Sequence, residues 1–406
     1  MSYPIDQIRS DFPILSREVH GKPLVYLDNG ASAQKPKAVI DAVNHVYSHE
    51  YSNVHRGLHH LSNATTEAYE AAREKLRAFL NAPNVDEIVF TKGTTEAINL
   101  VAYGWAIKHL KEGDEIVLTI MEHHSNIVPW HFLRERMGVK LKWVYVNEDG
   151  SFNMENFKDA LSEQTKLVAI THMSNVLGTV VPLKEVCSIA HERGIPVLAD
   201  GSQSAVHIPV DVQDLDVDFY CVTGHKLYGP SGIGALYGKM EYLKDMQPYQ
   251  GGGEMILDVM EEEVTYAEPP HRFEAGTPPI AQAIGLGHAL DYMESIGRDA
   301  IAAHENDLRD YAQEQLSKIN SLRIYGNAPD KGAIFSFELE GIHAHDVSMI
   351  IDRAGVAVRA GTHCAQPLLQ KYGVTSTCRA SFAMYNTRQE VDVLVEALEK
   401  ARSFFG

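Results

Sequence analysis

Between residues 85 and 240, short apolar runs alternate with longer stretches whose apolar positions recur at helical spacing. The runs are rich in β-branched and aromatic residues, which favours strands. They are EIVFT (87–91), EIVLTI (115–120), LKWVYV (141–146), KLVAITH (166–172), PVLAD (196–200), DFYCVT (218–223) and GALYG (234–238). Segments such as TEAINLVAYGWAIKHL and LKEVCSIAHERG predict helices between them. The alternation predicts an α/β fold, with a mostly parallel sheet covered by helices on both faces.

The last two runs are joined by ~10 residues, too few for the crossover helix that parallel neighbours need. We therefore expect an antiparallel strand at one edge of the sheet. The GPSGIG segment inside this connection predicts a turn and not a phosphate loop, because no Gly-Lys-Ser or Gly-Lys-Thr follows it.

A second pattern begins near residue 280, with a helical stretch over 280–318 followed by shorter strand and helix signals. The strand signals are LRIYG, AIFSFEL, VAVRAG and CRASFAMYN, and the helix signals are AHDVSMIIDRAG and RQEVDVLVEALEKARSFF. This pattern predicts a smaller α+β region. Between the two regions, YQGGGEM (249–255) and the acidic segment after it predict an extended loop or hairpin.

Charge and cysteine usage narrow the classes of function. The 406 residues include 36 basic and 54 acidic side chains, a net charge of −18, which argues against nucleic acid or anionic membrane as a partner. No apolar stretch approaches the ~18 residues of a membrane span, and the N-terminus lacks the basic start and apolar run of a signal peptide. The four cysteines form no CxxC pair, so we expect a protein of a reducing compartment, the cytoplasm.

Polar residues that directly follow the apolar runs are the candidates for chemistry, because ligands bind outside the carboxyl ends of parallel strands. Asp200 follows PVLA and is either a helix cap or buried ion-pair partner, or a carboxylate that holds a protonated ring nitrogen. Lys226 follows a later run of the same sheet and can form a Schiff base with an aldehyde if it loses its proton readily. Together, Asp200 and Lys226 form the pair that pyridoxal 5'-phosphate requires.

The phosphate of such a cofactor needs hydrogen-bond donors. Thr94 and Thr95 stand at a predicted helix start, where free backbone N–H groups favour an anion, although simple threonine capping also explains them. Thr223 and His225, just before Lys226, are further candidate donors to the phosphate.

Histidines suggest an aromatic contact more strongly than a metal site. On a strand, His123 and His124 would point to opposite faces, and the HAH segment (343–345) lacks a nearby carboxylate or thiolate cluster. We therefore expect no metal, and His123 stacked on a cofactor ring.

Cysteines are usually buried apolar fillers, and Cys187 and Cys221 fit that description because they lie in apolar patterns. Cys378 begins a strand and is also interpreted as structural. Cys364 instead lies in a polar loop beside His363 and shortly after Arg359, where positive neighbours and exposure favour a nucleophilic thiolate.

Several motifs, in their order along the chain, resemble one enzyme family. NVHRGLHHLS, ADGSQSAVH, TGHKLYGPSGIG, RFEAGTP and RAGTHCAQP are similar to motifs of the cysteine desulfurases, which are class V, fold type I pyridoxal-phosphate enzymes. The likeness is closest to the SufS-type, group II branch and spans essentially the whole chain, from YLDNGASAQKP to CRASFAMYNT. It implies a large cofactor-binding domain at 26–285, a small domain at 286–406 that carries the cysteine loop, and an N-terminal segment at 1–25 packed with the small domain.

The resemblance also implies roles for individual residues. Lys226 would carry the cofactor, and Asp200 would bind its ring nitrogen. Gln203 would hydrogen-bond the ring hydroxyl, together with Asn175. His123 would stack on the ring and take part in catalysis. The phosphate would be bound by the remaining polar residues of the site: Thr94, Thr95, Thr223, His225 and, from a second subunit, Thr277.

For the substrate, the resemblance implies that Arg379 grips the carboxylate, with Arg359 and Asn175 nearby, and that Cys364 accepts the sulfur. The implied reaction converts L-cysteine to L-alanine and leaves a persulfide on Cys364. A SufE- or SufU-like acceptor would collect that sulfur from a homodimeric enzyme for iron–sulfur cluster assembly. L-selenocysteine is an expected second substrate. Alternatives are another class V activity, such as selenocysteine lyase or an aminotransferase, and a non-catalytic scaffold or sulfur-carrier role.

Overall fold

The computed structural model describes residues 3–405. Its strands are β1 (Glu18–Val19), β2 (Lys22–Pro23), β3 (Val25–Tyr26), β4 (Ile88–Thr91), β5 (Glu115–Thr119), β6 (Lys140–Val144), β7 (Thr165–Thr171), β8 (Val197–Asp200), β9 (Phe219–Thr223), β10 (Gly234–Gly238), β11 (Ile256–Val259), β12 (Val264–Tyr266), β13 (Leu322–Tyr325), β14 (Ile334–Leu339), β15 (Val356–Ala357), β16 (Arg359–Gly361) and β17 (Thr377–Ser381). Each apolar run identified between residues 85 and 240 therefore forms a strand.

The α-helices alternate with the strands in the first part of the chain. They are α1 (Ile5–Ser10), α2 (Lys37–His45), α3 (His60–Leu80), α4 (Thr94–Val101), α5 (Ile107–His109), α6 (Val128–Met137), α7 (Met154–Ala160), α8 (Leu183–His191), α9 (Ser204–His207), α10 (Val212–Leu215), α11 (Met240–Asp245), α12 (Ile280–Ile296), α13 (Arg298–Leu316), α14 (Ala344–Asp352), α15 (Gln366–Lys371) and α16 (Arg388–Phe405). The helical stretch predicted over 280–318 is two helices, because the chain turns at Gly297 with a φ of +93°.

The central sheet has the strand order β4-β10-β9-β8-β7-β5-β6. Strand β10 runs antiparallel to both β4 and β9, and the other neighbouring pairs are parallel. A mostly parallel sheet with one antiparallel edge is thus confirmed, although β10 is not itself the outermost strand. Strand β4 pairs with the outer side of β10, so the antiparallel strand lies one position inside the edge.

Both faces of this sheet are buried except at the edge strand β6, where exposed lysines alternate with half-buried residues. Burial on both faces is why the other strands are nearly continuous apolar runs. Consecutive strand residues enter different apolar clusters: Val117 and Val168 pack in one, and Leu118 and Leu198 pack in the other. The helices that cover the faces hold the polar strand ends at one rim.

The second region contains an antiparallel sheet of order β13-β14-β17-β16. The chain's first residues contact it: β3 pairs in parallel with β15, and Arg9 forms an ion pair with Glu390 at 2.9 Å. The predicted connector forms the hairpin β11–β12. Across residues 3–405, no helix combines the length and the apolar character needed to cross a membrane.

Candidate active site

A cleft of about 1010 Å³ opens at the carboxyl ends of the central strands. Its other walls come from the segment 26–32 and from the loop that contains Cys364. Twelve of the thirteen residues proposed from the sequence line it: Thr94, Thr95, His123, Asn175, Asp200, Gln203, Thr223, His225, Lys226, Arg359, Cys364 and Arg379. The exception is Thr277, which is exposed and lies outside this cleft.

Asp200 and Lys226 enter the cleft from neighbouring strands. Asp200 ends β8, is buried, and accepts a hydrogen bond from the backbone N–H of Ser202 at 2.9 Å. Lys226 follows the end of β9, and burial lowers its pKa to about 8, while the negative charge of Asp200 opposes the shift. A lysine in this state gives up its proton far more readily than one in water.

The start of helix α4 forms one end of the cleft. Its N-cap is Gly93, so no side chain caps the helix, and simple threonine capping does not explain Thr94 and Thr95. The Thr94 hydroxyl accepts a hydrogen bond from Ser202 at 2.8 Å, and that of Thr95 contacts the Ser125 hydroxyl at 2.7 Å. The first backbone N–H groups of an uncapped helix are suited to bind a phosphate.

His123 lies in a turn after β5 and not on a strand, as the sequence interpretation assumed, because β5 ends at Thr119. Burial, reinforced by the charge of Lys226, lowers the pKa of His123 to about 4, so its ring is neutral at ordinary pH. The neighbouring His124 contacts a different element, accepting from the backbone N–H of Gln366 at 3.1 Å. A neutral, flat ring at this position suits stacking on an aromatic cofactor.

Gln203 supplies a free acceptor inside the cleft. Its Nε2 donates to the carbonyl of Gly30 at 2.7 Å, whereas its buried Oε1 has no partner. A buried acceptor without a donor is costly, so this atom is suited to a hydroxyl of a bound molecule. Asn175 is used differently, because its Nδ2 donates to the carbonyl of His363 at 2.7 Å.

Taken together, these residues fit pyridoxal 5'-phosphate. The cleft offers an amine of lowered pKa, a buried carboxylate, a neutral aromatic ring, an unpartnered acceptor and an uncapped helix start. Each of these matches one functional group of that cofactor. Within residues 3–405, no group of three or more histidine, cysteine, aspartate or glutamate side chains is placed to hold a metal ion.

Two arginines of the cleft share one carboxylate. Arg379, only 2% exposed, donates to the carbonyl of Asn175 at 3.0 Å and to Asp28 at 3.3 Å. Arg359 is half-exposed and donates to the same carboxylate, with 3.0 Å between Nη2 and Oδ2. Burial lowers the pKa of Arg379 to about 10, and the charge of Asp28 opposes the shift. In the sequence, Asp28 lies in the motif YLDNG, and no pattern indicated a role for it.

Cys364 is exposed, whereas Cys187, Cys221 and Cys378 are buried and have pKa values that burial raises. His363 is not one of its positive neighbours, as the sequence suggested, because burial lowers the pKa of that ring to about 3. The positively charged groups that interact with Cys364 are Arg359, Arg379 and Lys226.

The chain is similar to known proteins along nearly its whole length. The sequence pattern of the family described as aminotransferase class-V matches residues 25–394. A cysteine desulfurase of Pectobacterium atrosepticum is 50% identical over 100% of both chains. One of Synechococcus elongatus is 50% identical over 99% of this chain, although the chain spans only 64% of that protein's length. The crystal structure of the Escherichia coli cysteine desulfurase CsdA, in an S-sulfonic acid form, superposes with a TM-score of 0.93 at 40% identity and covers 100% of both chains.

The family match covers most of the chain, the relatives are half identical in sequence, and the cleft has the groups that the cofactor requires. The chain therefore belongs to the class V aminotransferase family of pyridoxal-phosphate-dependent enzymes, in which its relatives are the cysteine desulfurases.

Proposed function

We propose that this protein is an L-cysteine desulfurase of the SufS type, which converts L-cysteine to L-alanine and keeps the sulfur as a persulfide on Cys364. The observation that carries the proposal is an exposed thiol, Cys364, in the same cleft as Lys226 and Arg379. An aminotransferase needs the lysine and the arginine but has no use for the thiol. Cys364 is therefore the residue that distinguishes the two reactions.

The cofactor would be held by the residues that surround its candidate position. Asp200 would keep the ring nitrogen protonated, Gln203 would accept from the ring hydroxyl, and His123 would cover one ring face. Thr94, Thr95, Thr223 and His225, together with the start of α4, would bind the phosphate. When bound, pyridoxal phosphate supplies an electron sink that stabilises negative charge at the substrate's α-carbon.

Substrate orientation would depend on the two arginines. Arg379 is fixed by two hydrogen bonds and would bind the carboxylate of L-cysteine with its planar fork. Arg359, nearer the solvent, would contact the same carboxylate or the leaving sulfur. The sulfur of the substrate is then directed toward the loop of Cys364.

Proton movement would be the task of Lys226. Because its pKa is lowered to about 8, far more of the free amine is neutral near neutral pH than for a lysine in water, and this neutral form can take the α-proton. The resulting ammonium can return a proton at a later step, so one side chain serves as both base and acid.

Sulfur transfer is balanced without an added oxidant. The Cys364 sulfur attacks the substrate sulfur, an S–S bond forms, and the substrate's C–S bond breaks. The electron pair of that bond stays with the three-carbon fragment, which takes up one proton at the carbon that carried the sulfur, regains a proton at the α-carbon in place of the one that Lys226 removed, and leaves as L-alanine. The thiol of Cys364 has become a persulfide, and its sulfur is available to a second thiol.

The proposal also includes a sulfur acceptor, a second substrate, a cell compartment and a division into domains. A small SufE- or SufU-like protein with its own reactive thiol would collect the sulfur for iron–sulfur cluster assembly, and L-selenocysteine would be cleaved as a side reaction. The four cysteines are free, which is typical of the reducing cytoplasm. We also propose the division of the chain into an N-terminal segment (1–25), a large domain (26–285) and a small domain (286–406).

A homodimer is part of the proposal, because Thr277 would contribute to the partner's phosphate site. Its exposure outside the cleft of its own chain is compatible with that role. Sedimentation of the active enzyme at assay concentration should give a dimer. A fully active monomer would remove this part of the proposal.

The test of the activity is alanine formation from L-cysteine by the purified holoenzyme. Wild type and Cys187→Ala should form alanine at similar rates, because Cys187 is buried in a helix away from the cleft. Cys364→Ala should still bind L-cysteine and change the cofactor spectrum, yet form almost no alanine. A keto acid as the product, or equal rates in all three proteins, would contradict the proposal.

A further inference from the structure

Asp28 lies between the two guanidinium groups of the cleft and contacts both of them. Its Oδ1 accepts from Nη2 of Arg379 at 3.3 Å, and its Oδ2 accepts from Nη2 of Arg359 at 3.0 Å. The residue is separated from these partners by 351 and 331 positions in the sequence. Neither arginine has another carboxylate partner among the ion pairs of the described residues.

The backbone next to Asp28 is shaped for the same arginine. A Cβ placed on Gly30 would lie 3.2 Å from Cζ of Arg379, closer than most side-chain carbons approach other atoms. The backbone N–H of Gly30 donates to Ser381 Oγ at 2.7 Å, and Ser381 lies two residues after Arg379 on β17. The segment 28–30 therefore accommodates Arg379 in two ways. The carboxylate of Asp28 pairs with the guanidinium group, and the lack of a side chain at Gly30 leaves room for it.

The charges of these three groups leave a net charge of one. Two guanidinium groups close together repel each other, and one carboxylate between them removes half of their positive charge. A substrate with a single carboxylate then meets a single unit of compensating charge. Because Asp28 occupies the Nε–Nη2 edge of Arg359, that edge is not available to the substrate.

We propose that Asp28 is a positioning residue for the substrate carboxylate, which holds Arg359 and Arg379 apart in fixed orientations and limits the pair to one net positive charge. The proposal rests on the proposed desulfurase function only for the identity of the substrate. The charge balance itself is a property of the chain and can be measured without turnover.

The first measurement uses alkylation of Cys364 in the holoenzyme by two reagents of similar size. Iodoacetate carries a carboxylate and iodoacetamide does not, so the ratio of their rates reports the local charge. Asp28→Asn should raise this ratio about threefold at low ionic strength, because one negative charge is lost near the thiol. Cys364 is the exposed cysteine of the described chain, and its labelled peptide is identified by mass spectrometry.

Matched variants separate this effect from a general loss of structure. Asp307→Asn removes a carboxylate from an exposed ion pair with Arg388 outside the cleft, and should leave the ratio unchanged. The double variant Asp28→Asn/Arg359→Gln restores the net charge and should return the ratio toward the wild-type value. If Asp28→Asn fails to fold, Arg359→Gln alone decides the question, because it should lower the ratio about threefold.

The second measurement is the specificity constant for L-cysteine. Asp28→Asn should lower kcat/KM roughly tenfold or more, because the arginine forks lose their fixed geometry even though the local positive charge increases. An unchanged alkylation ratio, or an unchanged kcat/KM, would overturn the assignment. If wild type forms no alanine while the ratio still rises in Asp28→Asn, the desulfurase proposal fails and the charge balance assigned to Asp28 is supported.

Discussion

The backbone N–H of His124 donates a hydrogen bond to the carbonyl of Cys364 at 2.7 Å. The loop around Cys364 is held at further points, because Asn175 donates to the carbonyl of His363 and the His363 ring contacts Thr377 Oγ1 at 2.9 Å. His363 and Cys364 both have positive φ values, +53° and +55°, which side chains other than glycine rarely adopt. Because the loop is held at these points, we expect a sulfur bound to Cys364 to stay at the cleft.

This fixed loop predicts that sulfur release limits turnover. Alanine formation from L-cysteine alone should be slow, and a small acceptor protein with its own reactive thiol should stimulate it several-fold. The measurement compares alanine release with the acceptor and with the same acceptor whose thiol is replaced by serine. Equal rates in the two cases would show that the loop delivers sulfur without help.

Covalent attachment of the cofactor should be specific to Lys226. Burial lowers the pKa values of both Lys226 and the nearby Lys35 to about 8. Lys35 donates to the carbonyl of His225 at 2.9 Å but does not line the cleft, so it serves as the internal control. Borohydride reduction followed by peptide mapping should find the cofactor on Lys226. A label on Lys35 would contradict the site.

The pH dependence of cofactor capture follows from the lowered pKa of Lys226. Only the neutral amine attacks an aldehyde, and a lowered pKa makes the neutral form available at lower pH. The rate of capture by the apoprotein should therefore rise with pH through a midpoint of about 8. An ordinary lysine, with a pKa of 10.5, would give a midpoint at much higher pH. His123 should add no step near pH 6.5, because its pKa is about 4. Stopped-flow absorbance at constant ionic strength measures both features.

Asp200→Asn should separate turnover from cofactor binding. An asparagine keeps an oxygen that can accept from the Ser202 N–H, but it loses the charge that would hold the ring nitrogen protonated. We expect alanine formation to fall by roughly 100-fold or more, comparable to the loss of a strong electrostatic contact in an active site. Cofactor content, measured after dialysis, should change far less. Near-normal turnover would return Asp200 to a structural role.

Most strands of the central sheet could be predicted from the sequence because burial on both faces makes them apolar, as in the segment that forms β9. The position of β10 in the sheet could not be predicted. A pattern along the chain does not show that β4, far earlier in the sequence, pairs with β10 and forms the edge of the sheet. Part of the candidate site was found where polar side chains end or follow strands, as Asp200 and Lys226 do, whereas the roles of Arg379 and Thr277 came from the family resemblance. Asp28 was missed because its two partners come from the other end of the chain and no local pattern connects them.

The central claim, that Cys364 receives the substrate's sulfur, is tested most directly by the mass of the enzyme after one turnover. Holoenzyme is mixed with L-cysteine in the absence of an acceptor, quenched in acid, and analysed for free alanine and for peptide masses. The account predicts one alanine per active site and the added mass of one sulfur atom on the peptide that contains Cys364. Alanine formed in that amount with Cys364 unmodified, or with the added sulfur on another cysteine, would contradict it.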